Sequence, residues 1–127
     1  MIASSNGHLK TVQLLLDRGA SVDFRGLKDE TALMYAAARG RVEVISYLIS
    51  RGADIEAEDD NGNTPVMFAV FTDHPEAVKI LLSSGASLLK RNHDDESPLE
   101  IAVNKCNKTV QHVIENFIES VMHSRLS

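Results

Sequence analysis

Apolar residues recur three to four positions apart in three stretches: Val12, Leu15 and Leu16; Ile45, Leu48 and Ile49; Val78, Leu81 and Leu82. That spacing puts each set on one face of a short helix. A glycine closes each stretch, at Gly19, Gly52 and Gly85, where the left-handed turn that ends a helix would otherwise force a Cβ into the backbone. Ahead of each stretch the pattern predicts another short helix. Thr31, Thr64 and Ser97 stand at its start, as hydroxyls able to accept from the orphaned first-turn amides. Pro65 and Pro98 follow, at the one helical position where a fixed φ helps and a missing N–H costs nothing. Ser97 and Glu100 add a capping-box pattern. The first helix is expected to end near Gly40, or Asp73 in the next unit, and extended segments such as Ala53 to Glu56 lead from one unit to the next.

All these features share one period, 33 residues, without a gap: Gly19-Ala20, Gly52-Ala53 and Gly85-Ala86; Leu15-Leu16, Leu48-Ile49 and Leu81-Leu82; Ala3, Ala36, Ala69 and Ala102. A fixed period in this range decides the architecture ahead of local propensity, because each unit can bury its apolar face only against its neighbours. The last unit lacks the closing glycine. Val110, Val113, Ile114, Phe117, Ile118, Val121 and Met122 instead continue a helical apolar stripe toward the C-terminus, read as a terminal cap. At the other end Met1 falls where the first helix of a unit would be almost complete. Leu33, Tyr35 and their neighbours are therefore expected to be poorly covered on that side, so that either upstream repeats have been cut away or something else covers that end.

Glu30 to Gly40 (ETALMYAAARG) and Asn61 to Ala69 (NGNTPVMFA) resemble the opening of ankyrin repeats, and Asn6-Gly7-His8-Leu9 with Val12, Leu15, Leu16 and Gly19-Ala20 resembles the second half of one. The resemblance covers nearly the whole chain. It implies an all-α solenoid of helix-turn-helix units with β-hairpin-like loops between them, in a single domain. The units would be a partial first repeat at 1–25, a second at 26–58, a third at 59–91 and a C-terminal capping repeat at 92–127 with an extended helix. The family's motif histidine is replaced by Met34, Met67 and Glu100, so its polar network is expected to be missing or rebuilt. Pro75 starts a second helix, which a first turn tolerates.

Charge and chemistry narrow the function. The net charge of −5 over 127 residues gives no basic stripe for a phosphate backbone or an anionic membrane, so neither nucleic acid nor membrane is an expected partner. The longest apolar run, Pro65 to Phe71, is too short to span a bilayer and the N-terminus is too polar for a signal segment. A lone Cys106 makes no internal disulfide and suits a reducing compartment, so a cytoplasmic or nuclear location is expected. His93-Asp94-Asp95-Glu96 reads as a solvated tip rather than a metal site, since consecutive residues cannot all converge on one ion. His8 and His74 share one repeat position and read as structural, while His112 and His123 fall on the terminal helix without a ligand motif around them in the sequence. No nucleophile motif surrounds Cys106. Asn107-Lys108-Thr109 matches a glycosylation triplet only in form, because nothing indicates secretion. Thr64 and Ser97 read as caps, not as kinase acceptors. No catalytic, cofactor or metal site is expected, and the chain is not expected to be an enzyme.

The resemblance implies that partners lie along a concave face built from the first helices and the loop tips. Carried over by position, the candidates are Arg25, Leu27, Lys28, Glu30, Ala38 and Arg39; Glu58, Asp60, Asn61, Asn63, Phe71 and Thr72; and Arg91, His93, Asp94, Glu96, Asn104 and Lys105. Arginine and aromatic anchors dominate interfaces, which singles out Phe71, Arg39 and Arg25, with Leu27 beside them; packing between first helices is the alternative for Phe71. Asp54, Glu56, Glu58, Asp59 and Asp60 crowd the middle tip without a basic residue, favouring a basic segment on the partner. The expected function is a protein–protein interaction module, an adaptor, scaffold or inhibitor, with a regulatory or targeting fragment of a larger multidomain enzyme, channel or effector as the alternative. A monomer is expected, against a homodimer through Leu33 and Leu9 at the incomplete first repeat.

Overall fold

The computed structural model describes residues 13–14, 16–26 and 28–126, with 124–126 as backbone alone. The expectations placed on Ala3, Asn6 to Leu9, Val12, Leu15 and Leu27 fall outside these residues. Among the described residues the chain forms six helices: α1 (Ala32–Ala38), α2 (Val42–Ser50), α3 (Pro65–Phe71), α4 (Pro75–Ser83), α5 (Pro98–Asn104) and α6 (Lys108–Leu126). Each short first helix pairs with a second, and successive pairs stack, α1 on α3 on α5 and α2 on α4 on α6. The buried cluster runs unbroken from Leu16 through Leu33, Ile45 and Leu48, then Val66, Met67, Val78 and Leu81, to Ile101, Val110 and Ile114. Leu33, expected to be poorly covered, is buried in that cluster together with Leu16. It offers no surface to a second copy.

Backbone chemistry repeats with the same period. Gly40, Asp73 and Cys106 all adopt left-handed φ (67°, 58° and 56°) between the two helices of a pair, and Asp29, Gly62 and Asp95 do so at the loop tips (61°, 77° and 61°). Two of these positions need glycine for a second reason. A Cβ on Gly40 would stand 2.6 Å from His74 Nδ1, and one on Gly62 would stand 2.7 Å from His93 Cδ2. Both imidazoles thus pack against the preceding repeat, His74 as a structural residue.

The helix starts show what replaced the motif histidine. Thr31 Oγ1 accepts from Met34 N at 3.3 Å while Thr31 N donates back to Met34 Sδ at 3.4 Å, so a thioether sulfur, a weak acceptor, closes the capping box. Thr64 stands in the same capping-box arrangement, its N donating to Met67 Sδ at 3.4 Å, but its buried Oγ1 makes no full hydrogen bond among the described residues. In the last unit Glu100 takes the acceptor's place, its Oε1 receiving Ser97 Oγ–H at 2.9 Å. The network is rebuilt rather than lost.

The loops are less sheet-like than hairpins. Arg25 and Thr31 form an isolated antiparallel bridge, and the tips otherwise close by single bonds such as Asp59 N to Asn63 O (3.1 Å) and Asn92 N to Glu96 O (3.0 Å). The tips do stack on one another: Asp60 N donates to Lys28 O at 3.1 Å and His93 N to Asn61 O at 2.9 Å. Asn107 Nδ2 reaches Val70 O at 2.9 Å in the preceding repeat, so its amide is a strut between units.

The terminal helix covers the core only in part. Val110 and Ile114 are buried, whereas Val121 and Met122 are 42% and 58% exposed. The reason is length, since α4 beneath it ends at Ser83, whose counterpart is Asn116, and α6 continues to Leu126.

Candidate partner-binding groove

The outward positions of a short helix lie three to four residues apart. On α1 these are Tyr35, Ala38 and Arg39; on α3, Phe68, Phe71 and Thr72; on α5, Asn104 and Lys105. Because the three helices stack side by side, the sets form three columns along one surface. Between α1 and α3 they enclose a cleft of about 190 Å³ lined by Glu30, Met34, Tyr35, Ala38, Arg39 and Phe68. The Tyr35 hydroxyl donates to Glu30 Oε1 at 2.7 Å. That bond, followed by burial and the negative charge of Glu30, raises the phenol above its ordinary pKa, so it remains a donor and holds the carboxylate against the cleft wall. Arg39 is exposed, and its guanidinium has no partner among the described residues. Phe71 is half-buried against the core, with Lys105 Nζ 5.4 Å from its ring centroid, within cation–π range. Packing and exposure thus share Phe71.

Sequence reasoning missed Tyr35 and Phe68 as groove residues. The signal lay in helical spacing, since Tyr35 stands four residues before Arg39 and Phe68 three before Phe71.

Several other candidates are occupied by the fold. Arg25 Nη1 donates to Asp29 O (2.9 Å) and to Glu58 O in the next loop (2.8 Å). Arg91 Nη1 donates to Asp95 O at 2.8 Å and pairs with Glu100 Oε1 at 2.5 Å. Asn63 Oδ1 accepts from Asn92 Nδ2 at 2.9 Å, and Asn104 Nδ2 donates to Glu96 Oε2 at 3.0 Å. Thr72 Oγ1 donates to Phe68 O at 2.8 Å. Lys28, Asp60, Asn61, His93 and Asp94 are exposed on the tips, away from the cleft lining.

Most of the acidic middle tip is engaged internally. Asp54 Oδ1 accepts from Glu56 N (2.9 Å), Glu56 Oε1 from Ser87 N (3.0 Å), and Asp59 Oδ1 from both Asn61 N and Asn63 N (2.9 Å each). Glu58 pairs with Lys90 at 2.9 Å. These carboxylates, buried at Asp59, half-buried at Glu56 and Glu58 and exposed at Asp54, order the backbone by accepting from the donors around them, and Lys90 and Arg25 bring positive charge to the tip from either side.

Among the described residues no cluster of three histidine, cysteine or acidic residues could hold a metal ion, and no helix is long and apolar enough to cross a membrane. No curated protein matches the chain. A family model described as ankyrin repeats (3 copies) matches it over residues 1–92 and, overlapping, 59–122.

Proposed function

This chain belongs to the ankyrin-repeat family, whose repeats are protein–protein interaction modules, and from that premise we propose that it is an adaptor, scaffold or inhibitor that holds a protein partner in the groove over α1, α3 and α5. The observation that carries the proposal is the cleft between α1 and α3, where Tyr35 and Phe68 offer aromatic surface beside an unpaired Arg39. A solvent-facing aromatic wall next to a free guanidinium is the composition that concentrates binding energy at interfaces. The tips then act as a rim, and their side chains serve mostly to hold the loops in register.

The test is affinity capture from a matched lysate with the wild type and an Ala38→Arg/Arg39→Glu variant, both checked by circular dichroism. The two substitutions fill the cleft from half-buried Ala38 at its wall and reverse the charge of exposed Arg39, and neither position belongs to the buried core, so the fold is expected to survive. Proteins retained by the wild type and lost by the variant are the expected outcome. Identical captures would place binding elsewhere on the molecule.

A further inference from the structure

We propose that the groove takes an extended acidic and apolar segment, with one carboxylate near Arg39, another near Lys105 and apolar side chains between them; this rests on the groove being the partner site. The charges along the groove differ in whether the fold engages them. The groove's tip side carries Glu30 and Glu96, and both are occupied, by the Tyr35 hydroxyl and the Asn104 amide. Its opposite rim, at the ends of the first helices, carries Arg39 and Lys105, and neither pairs with a carboxylate among the described residues. The rings of Tyr35 and Phe68 line the cleft beside Arg39, and the Phe71 ring lies under Lys105 Nζ.

Spacing limits what can reach both cations. Packed helices lie roughly 8–10 Å apart, so the backbones of Arg39 and Lys105 stand roughly 16–20 Å apart, while Lys105 Nζ, 5.4 Å from the Phe71 ring centroid on the middle helix, brings its charge inward to roughly 10–15 Å from the α1 end. An extended or polyproline chain advances about 3.1–3.4 Å per residue, and carboxylates about three to five positions apart would therefore meet both. Asp73, exposed in the loop directly after Thr72, is a carboxylate on this rim. It disfavours a third acid halfway along, so the middle of the segment is neutral. The overall charge of −5 opposes an acidic ligand at long range. Screening decides between the two effects, because the Debye length is about 8 Å at physiological ionic strength and the facing cations act at contact.

The test is selection of displayed random decapeptides on the full chain, counter-selected on the Ala38→Arg/Arg39→Glu variant. Enriched peptides are expected to carry paired carboxylates around an apolar centre. A representative synthetic peptide is expected to lose about fivefold or more in affinity on Arg39→Glu and on Lys105→Glu, and to bind more tightly to Asp73→Asn. Groove-dependent peptides that are basic or uncharged would overturn the acidic ligand and leave the groove as the partner site. A selection without groove-dependent binders would overturn both.

Discussion

Thr31 and Thr64 occupy the same place one repeat apart, yet their hydroxyls have different consequences. Both stand in a capping-box arrangement, but Thr31 Oγ1 accepts from Met34 N at 3.3 Å, whereas Thr64 Oγ1 is buried without a full hydrogen bond among the described residues. A cap is worth about 1 kcal/mol, while a buried hydroxyl without a partner contributes only its desolvation cost. Thr31→Val is therefore expected to lower stability by about 1 kcal/mol, and Thr64→Val to leave it unchanged or raise it, as read from urea unfolding midpoints at constant m-value. Equal losses would show that Thr64 caps as Thr31 does. The sequence places both as caps because the residue type and its distance from the following apolar run are local facts. It is silent on the difference, which depends on tenths of an ångström in the helix's first turn.

Among the elements, α5 ties its start to its surroundings most closely. Glu100 accepts from Ser97 Oγ and pairs with Arg91 Nη1. Its carboxyl is held below the ordinary glutamate range, first by the Ser97 hydroxyl, which outweighs the opposing effect of desolvation, and further by the Ser97 amide and the Arg91 charge. A carboxyl whose folded pKa lies below its unfolded value contributes stability above the unfolded value, near pH 4.3 for glutamate as an approximate reference, and loses it as pH falls through the folded value. Melting temperature is thus expected to fall more steeply in the wild type than in Glu100→Gln as pH drops from about 5 to about 3. Parallel profiles by calorimetry would remove Glu100 from the acid response. The capping box itself was legible from Ser97 and Glu100 three residues apart. The part played by Arg91 was not, because it comes from the loop side of the helix and sequence reasoning had set that arginine aside for a partner.

At the scale of the molecule, one repeat position reports where the stack ends. Ala37 and Val70 are fully buried, and their counterpart Val103 is 53% exposed, because no further helix pair stacks over α5 among the described residues. Val70→Asn is expected to cost about 3–5 kcal/mol, combining lost packing with a buried amide, against about 0.5 kcal/mol or less for Val103→Asn. Chemical denaturation of the pair measures both, and comparable losses would mean that Val103 is covered in solution. The sequence by itself determined the period, the paired helices, the caps and the left-handed turns, because each rests on hydrogen bonds and sterics among residues a few positions apart. Only the tertiary structure decided which charges remain free. Arg25, Arg39 and Arg91 look alike along the chain, but stacking brings Glu58 O within reach of Arg25 and local loop closure brings Glu100 to Arg91, leaving Arg39 unmatched. The same stacking sets Tyr35 beside Phe68 to make the cleft. Contacts between residues a full repeat apart depend on how units lie against one another, and no local preference encodes that.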